Sequence, residues 1–332
     1  MNRWTARGAG CALALSVVVA LPACKWSPIR NGTTATREVR AAEYVDQAET
    51  MLNEGRTDEA LFVLARAIEK NPRLTVAHLK MGEIHKGSGD YSAAAEAYGD
   101  AAELEPRNFD AQYNHGLMLQ LVNRLTDSVR AYLRALAVRP EDFDANFNLA
   151  TAYLQLNESR QSLTYARQAV RLSPQSGPAH ANLGAVYSAL DRHSEAVREY
   201  ESASELMELA PDILVNWAES LGKLGRYTEM AVTLESILAD TTSAAACERL
   251  GFARFKLREY DAAVHAFRRC LEIDELYYPA MNGLGVCLLN EYLLSNKQNQ
   301  KVHREAIDLF RHSLRIRRDQ ERILELISRY KL

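Results

Sequence analysis

The sequence lacks the residue pattern of a metal site or a disulfide framework. Among its 332 residues there are only five cysteines: Cys11, Cys24, Cys247, Cys270 and Cys287. No two of them have the C-x-x-C spacing, and no histidine pair stands near them at the spacing of zinc ligands. The sequence therefore predicts neither a zinc module nor a small disulfide-rich fold, and it predicts no metal and no cofactor.

The motifs of the common enzyme classes are also missing. The chain has no H-E-x-x-H, no G-x-S-x-G, no phosphate-binding G-x-x-x-x-G-K-[S/T] and no dinucleotide-binding glycine pattern. Acid pairs such as Glu103 and Glu105 are more typical of a solvated helix face than of a catalytic dyad. We predict no catalytic residues, no enzyme activity and no small-molecule substrate.

The chain has almost no excess charge. The formal net charge is −3, which excludes the broad basic surface of a nucleic-acid-binding protein. Residues 296–332 nevertheless hold ten Lys and Arg against five Asp and Glu. Five of these arginines recur at helical spacing and predict a docking surface for an anionic partner: Arg311, Arg315, Arg317, Arg318 and Arg322. The alternative is an ordinary solvated face, since exposed charges contribute little.

One long apolar run exists, and it lies at the N-terminus. Residues 9–23 follow Arg3 and Arg7, and the run is shorter than the roughly 20 residues that span a bilayer. This layout predicts a signal peptide over residues 1–23. The run ends in LPAC, which resembles the lipobox of bacterial lipoproteins. The resemblance implies an acylated Cys24 and attachment to a membrane. A plain cleaved signal and an uncleaved anchor are the alternatives.

The residue after Cys24 bears on where such a lipoprotein would reside. Lys25 stands there in place of the aspartate that retains lipoproteins in the inner membrane under the enterobacterial sorting rule. The resemblance therefore implies a place in the bacterial cell envelope, at the outer membrane and facing the periplasm. Residues 24–40 have turn formers and charges without periodicity, and they predict a flexible tether.

The rest of the chain is one unit copied many times. Pro72, Pro106, Pro140 and Pro174 are 34 residues apart, and each ends a helical pattern. With the proline at unit position 32, position 8 is always small: Ala48, Gly82, Gly116, Ala150, Gly184, Ala218, Gly251 and Gly285. Position 20 is mostly small and position 24 mostly large, which lets two antiparallel helices interlock. Eight units start near residues 41, 75, 109, 143, 177, 211, 244 and 278.

A helix-turn-helix unit of 34 residues with these columns resembles the tetratricopeptide repeat. Segments such as MGEIHKGSGDYSAAAEAYGDAAELEP carry the pattern, and the resemblance covers residues 41–332. It implies an all-α, right-handed superhelical solenoid. The eighth unit has about nine extra residues between its helices, and residues 319–332 are amphipathic and predict a capping helix.

A polar amide recurs at unit position 6, in Asn114, Asn148, Asn182 and Asn216. In this family the first helices line the concave wall, so the amides would face the groove. The column resembles the asparagine ladder in the repeat domain of O-GlcNAc transferase, which implies binding of a peptide by its main chain. Tyr113 and Phe147 would seat apolar side chains or belong to the core. The alternative is that these asparagines help the local fold.

The resemblance implies two roles for the protein. The first is a non-catalytic interaction scaffold on a lipid anchor, which binds an extended segment of another envelope protein in its groove. The second is an assembly factor of an envelope complex, of the pilus or secretin type, which docks through its outer surface and basic end. In an oxidising envelope Cys247, Cys270 and Cys287 would form one disulfide, or they fill small core positions.

Overall fold

The computed structural model describes residues 35–330, with side chains from Glu43 onward except that of Asp240. The predicted signal peptide, Cys24 and most of the predicted tether lie outside the described residues. Within them the chain forms the following α-helices: α1 (Ala35–Asn53), α2 (Thr57–Lys70), α3 (Thr75–Ser88), α4 (Tyr91–Leu104), α5 (Phe109–Leu121), α6 (Leu125–Val138), α7 (Phe143–Gln155), α8 (Ser159–Leu172), α9 (Gly177–Ala189), α10 (His193–Leu206), α11 (Pro211–Lys223), α12 (Tyr227–Asp240), α13 (Ala244–Lys256), α14 (Tyr260–Ile273), α15 (Tyr278–Leu294), α16 (Gln300–Ile316) and α17 (Glu321–Tyr330).

The helices form eight successive pairs, and the predicted all-α solenoid is confirmed. In units two to eight the first helix begins at the residue where the periodicity places the start of the unit. Helix α1 differs, because its backbone is helical from Ala35, six residues before the predicted start. The prediction that the tether extends to residue 40 was therefore wrong for residues 35–40. These residues, ATREVR, contain good helix formers and no proline or glycine.

Most helix pairs interlock a small residue with a large one. A methyl group built on Gly116 would stand 2.8 Å from the ring of Tyr132, and one on Gly184 would stand 2.8 Å from that of Tyr200. Both tyrosines are fully buried. The same pairing joins position 8 to position 24 in other units: Gly82 with Tyr98, Gly251 with Phe267 and Gly285 with Phe310. Any side chain larger than hydrogen at these glycines forces the two helices apart.

The hydroxyl groups of Tyr132 and Tyr200 differ in their hydrogen bonding. The hydroxyl of Tyr132 donates to Oε1 of Gln120 at 3.0 Å, whereas that of Tyr200 is buried without a partner. We expect Tyr132→Phe to lower the free energy of unfolding by about 0.5–1.5 kcal/mol, because a net hydrogen bond is lost. Tyr200→Phe should be neutral or stabilising, because it removes an unsatisfied polar group. Urea denaturation of the two variants measures this, and an equal loss in both would contradict it.

The turn between the helices of a pair uses left-handed backbone at unit position 15. Units one, two and six have glycine there, whereas Asn123, Asn157, Asp191 and Arg258 take positive φ values of 60°, 60°, 56° and 65°. Asparagine and aspartate tolerate this conformation, whereas arginine has no local hydrogen bond that offsets the strain. The turn of the seventh unit is therefore strained at Arg258.

Replacing Arg258 by glycine should relieve that strain. We expect Arg258→Gly to raise the free energy of unfolding by about 0.5–1 kcal/mol. Glycine avoids the energy cost of left-handed backbone, and part of this gain is offset by the greater conformational entropy of glycine in the unfolded chain. Asn157→Gly is the matched control and should gain less. Thermal melting of both variants is the measurement. A lower melting temperature for Arg258→Gly than for the parent would show that the arginine side chain stabilises the turn.

A second polar column ties units two to five each to the unit before it. The side chain at position 4 of units two to five contacts the carbonyl oxygen of the proline that ends the preceding unit, at 3.0–3.5 Å: His78 with Pro72, Gln112 with Pro106, Asn146 with Pro140, and His180 with Pro174. Units six to eight have Leu214, Cys247 and Met281 at this position. In those units apolar packing takes the place of the polar contact.

The last unit is longer than the others. Its extra residues extend both helices, so α15 and α16 have 17 residues each, whereas a typical first helix such as α13 has 13. Helix α17 follows and buries Ile323 against the core of units six to eight. Cys247, Cys270 and Cys287 are buried and free in this core, so they form no disulfide. Burial raises the pKa of the Cys270 and Cys287 thiols to about 12.

Candidate functional site

The first helices form the inner wall of the solenoid. Helix α5 contacts α7, α7 contacts α9, α9 contacts α11, and α13 contacts α15. The four asparagines of position 6 lie at equivalent places on α5, α7, α9 and α11. Asn114, Asn148 and Asn182 are half-buried, and Asn216 is exposed. The structure thus brings the predicted residues together in one row along what we call the groove.

Two of these amides donate a hydrogen bond to a side chain of the preceding unit. Nδ2 of Asn182 donates to Oγ1 of Thr151 at 3.0 Å, and Nδ2 of Asn148 donates to the hydroxyl of Tyr113 at 3.0 Å. Both acceptors belong to the first helix of the preceding unit. An amide that faced an empty groove without a protein partner would be hydrated, and its loss would change stability little. Because Asn148 and Asn182 each make a bridging bond, we expect their loss to reduce stability.

The other two asparagines are placed differently. Nδ2 of Asn114 donates to the carbonyl oxygen of Asp110 at 2.8 Å, and its Oδ1 accepts from Nζ of Lys86 at 3.3 Å. Asn216 makes no side-chain hydrogen bond to any described residue. Position 9 of its preceding unit is Ala185, which offers no polar atom in its side chain. Asn216 is therefore the member of the row with a free amide.

Position 6 has the same bridging role outside the asparagine units. Nζ of Lys80 lies 3.2 Å from Oε1 of Glu49, and Nη2 of Arg249 lies 3.3 Å from Oε2 of Glu219. Both carboxylates stand at position 9 of the preceding unit, as Thr151 does opposite Asn182. Sequence reasoning missed this rule. The sequence does contain a signal for it, because the side chain at position 6 of these units is chemically complementary to the side chain at position 9 of the unit before.

Tyr113 and Phe147 are half-buried parts of the wall. The ring of Tyr113 stacks on Phe109 with centroids 5.7 Å apart, and Phe147 stacks on Phe143 at 5.9 Å. Burial raises the pKa of Tyr113 to about 12, so its hydroxyl remains neutral and can accept from Asn148. Each ring packs against a neighbouring ring of its own helix and keeps part of its surface exposed.

The five C-terminal arginines do not form a single surface. Arg311, Arg315 and Arg318 line one shallow depression with Asp308 and Leu314. Nε of Arg317 donates to Asp319 at 2.9 Å, and its Nη1 donates to the hydroxyl of Tyr278 at 2.8 Å. Arg322 lies on α17, at a separate cavity on the inner wall. We call Arg311, Arg315 and Arg318 the basic patch.

Within residues 35–330 no cluster of His, Cys, Asp or Glu has the geometry to hold a metal ion. No helix there is both long enough and apolar enough to cross a bilayer.

Models of the tetratricopeptide repeat match the chain in the region of the groove. One matches residues 79–120, 122–177 and 148–212, and another matches residues 244–275. These segments include Asn114, Asn148 and Asn182. No curated protein matches the chain in sequence.

Solved structures of repeat proteins share the fold. YrrB, described as a TPR protein with an unusual peptide-binding site, has 19% identity and a TM-score of 0.51, over 60% of this chain and 99% of its own. A TPR protein from Parabacteroides merdae has 15% identity and a TM-score of 0.51, and the match covers 75% of this chain and 98% of that protein. A chain of the APC/C Cut9–Hcn1 hetero-tetramer has 20% identity and a TM-score of 0.50, and the match covers 86% of this chain and 55% of that one. At these identities the likeness establishes the fold alone.

The matched segments fall on units whose helix pairs interlock through the small and large columns of that repeat. The chain therefore contains tetratricopeptide repeats within residues 79–212 and 244–275.

Proposed function

We propose that this protein is a non-catalytic interaction scaffold that holds an extended segment of another protein in its groove. The observation that supports this most strongly is the row of amides on the inner wall, which ends in the exposed and unpaired Asn216. A primary amide has two donor hydrogens and an acceptor oxygen. It can therefore bind the N–H and C=O groups of a peptide unit, whatever the side chains of that peptide are.

The spacing of the row fits an extended chain. First helices of adjacent units lie roughly 10 Å apart, and an extended chain advances about 3.3 Å per residue. Each asparagine would therefore meet every third residue, and four asparagines would span about nine residues. Tyr113 and Phe147 border this path and would contact the intervening side chains.

The experiment compares peptides that differ only in their backbone. We expect unstructured peptides of about nine residues to bind with similar affinity when their sequences are scrambled. N-methylation of alternate peptide nitrogens removes donors without changing side chains, and it should weaken binding. Fluorescence anisotropy measures both effects. Strong dependence on side-chain order with no effect of N-methylation would contradict recognition through the backbone.

We also propose that Cys24 carries lipid and anchors the protein in the cell envelope, at the outer membrane. The support is the apolar run that ends in LPAC, followed by Lys25. Cys24→Ser should release the protein from membranes or stall its processing, whereas Cys11→Ser should do neither. Metabolic labelling with a fatty acid and membrane fractionation test this. Unchanged label and fractionation in Cys24→Ser would refute the anchor.

An assembly role is the alternative, and the basic patch favours it. Three arginines converge there around a single acid, so an anionic partner would be attracted. Such association should weaken steeply as salt rises. Replacing the three arginines by glutamine should abolish complex formation in envelope extracts, while the asparagine variants should not. Association that is insensitive to salt and to these changes would exclude this role.

A further inference from the structure

A cavity of about 670 Å³ lies at the C-terminal end of the inner wall, between α13, α15 and α17. This volume falls within the range of about 300–1,000 Å³ that is typical of ligand pockets. Its lining on α13 and α15 comes from unit positions that line the groove in earlier units. Glu248 stands at position 5, Phe252 at position 9 and Gly283 at position 6. The cavity is thus the end of the groove.

The apolar floor of this cavity results from a missing side chain. Position 6 of the eighth unit is Gly283, where earlier units have asparagine or a charged residue. A methyl group on Gly283 would collide with the ring of Phe267, so this ring itself forms the floor. Phe252 and Val286 contribute walls, and Phe252 is 40% exposed. The cavity therefore offers the partly exposed ring of Phe252, whereas the ring of Phe267 below it is only 3% exposed.

The rim of the cavity is basic. Lys256, Arg322 and Arg329 line it, together with the acids Glu248 and Glu325. None of these five side chains makes an ion pair with another described residue. Nζ of Lys256 lies 5.3 Å from the centre of the Phe252 ring. Three cations without carboxylate partners thus stand beside an apolar floor.

The two acids differ in how strongly their negative charge offsets the three cations. Glu248 is half-buried beside the aromatic rings, and this burial raises the pKa of its carboxyl above the usual range, an effect that nearby Arg249 partly offsets. Glu325 lies on α17 between Arg322 and Arg329 and is exposed. The charge at the mouth of the cavity is therefore positive.

We propose that this cavity receives a large apolar side chain of the bound segment, while a carboxylate next to that side chain pairs with Lys256, Arg322 and Arg329. The inference rests on the proposed function, because it treats the cavity as the end of the peptide groove. The partner is then a protein segment with an aromatic or aliphatic residue adjacent to an acidic residue or to its own C-terminus. The positive rim selects an acidic partner over a basic one, and the exposed ring of Phe252 favours an apolar side chain beside the acid.

Three small indoles with a negative, a neutral and a positive substituent test the cavity with the full chain. We expect indole-3-propionate, an anion, to bind about two- to fivefold more tightly than neutral 3-methylindole, and the tryptamine cation to bind most weakly. Ligand-observed NMR titration measures the three affinities. Tightest binding of tryptamine, equal affinities, or no binding of any probe would overturn the inference.

Variants of the protein give a second test, because each should change the affinity for the indoles in an expected direction. Phe252→Ala should weaken all three indoles, because the wall is lost. The double variant Arg322→Gln and Arg329→Gln should remove the preference for the anion and leave 3-methylindole unchanged. Arg311→Gln with Arg315→Gln, in the basic patch, is the matched control and should change nothing. All these arginines are exposed, so the fold should be retained, which circular dichroism checks.

Glu248→Gln should tighten binding of indole-3-propionate, because it removes a negative charge beside the bound carboxylate. Weaker or unchanged binding of this anion in Glu248→Gln would contradict the inference. The indoles report on the cavity alone, and N-methylated peptides report on the groove alone. Failure of the cavity inference is therefore distinguishable from failure of the proposed function.

Discussion

Phe310→Ala should lower the free energy of unfolding by about 3–5 kcal/mol. The ring of Phe310 is fully buried and packs against Gly285, where it joins the two long helices of the last unit. Truncation removes its buried apolar surface and leaves a cavity that rigid helices cannot fill. Because each unit of a solenoid contacts only its neighbours, the C-terminal units should unfold first.

Phe62→Ala is the matched control for this change. Phe62 also lies on a second helix, but 65% of its surface is exposed, so its loss should change stability by no more than about 0.5 kcal/mol. Urea denaturation measures both variants, and amide hydrogen exchange locates the units that open. A small loss in Phe310→Ala, or opening that begins in the first units, would contradict the packing described here.

Replacing Asn114, Asn148, Asn182 and Asn216 together by alanine should have the largest effect on binding. Each hydrogen bond between an asparagine side chain and the peptide should contribute about 0.5–1.5 kcal/mol net. The quadruple variant should therefore lose about 2–6 kcal/mol of binding free energy if the contributions add. Anisotropy with the scrambled peptides measures the loss. Peptide affinity equal to that of the parent protein would end the hypothesis of an asparagine ladder.

The same variant should also be less stable, for a reason visible in the structure. Asn148 and Asn182 bridge to Tyr113 and Thr151, and loss of these two bonds should cost about 1–3 kcal/mol of folding free energy. The double variant at Asn148 and Asn182 should show nearly all of this loss. Denaturation of the double and quadruple variants therefore separates the structural part from the binding part.

The positions of the helices were predictable because one fold unit of 34 residues, or 33 in the sixth unit, recurs through the first seven units. Proline at position 32 and small residues at position 8 place the first helices of units two to eight at single-residue accuracy. The prediction failed where the repeat is interrupted. Helix α1 begins early because nothing in residues 35–40 breaks a helix. The extra residues of the last unit lengthen α15 and α16, since helix extension satisfies more backbone hydrogen bonds than a loop.

The candidate site was predictable only in part. Recurrence of asparagine in one column indicates a row on one wall, but bridging between units depends on pairs such as Asn182 and Thr151, which are distant in sequence. The cavity beside α17 depends on the missing side chain of Gly283 and on the packing of a helix outside the repeat. Neither feature can be read from a single column, because both arise from contacts between different units.

Asn216→Ala is the most direct test of the claim that the groove holds a peptide by its backbone. Asn216 is exposed and has no hydrogen bond to a described residue, so its loss should leave the melting temperature unchanged. Peptide affinity should nevertheless fall by about two- to tenfold, the value of one hydrogen bond. Unchanged affinity in Asn216→Ala, measured on the same sample as its melting temperature, would contradict the claim.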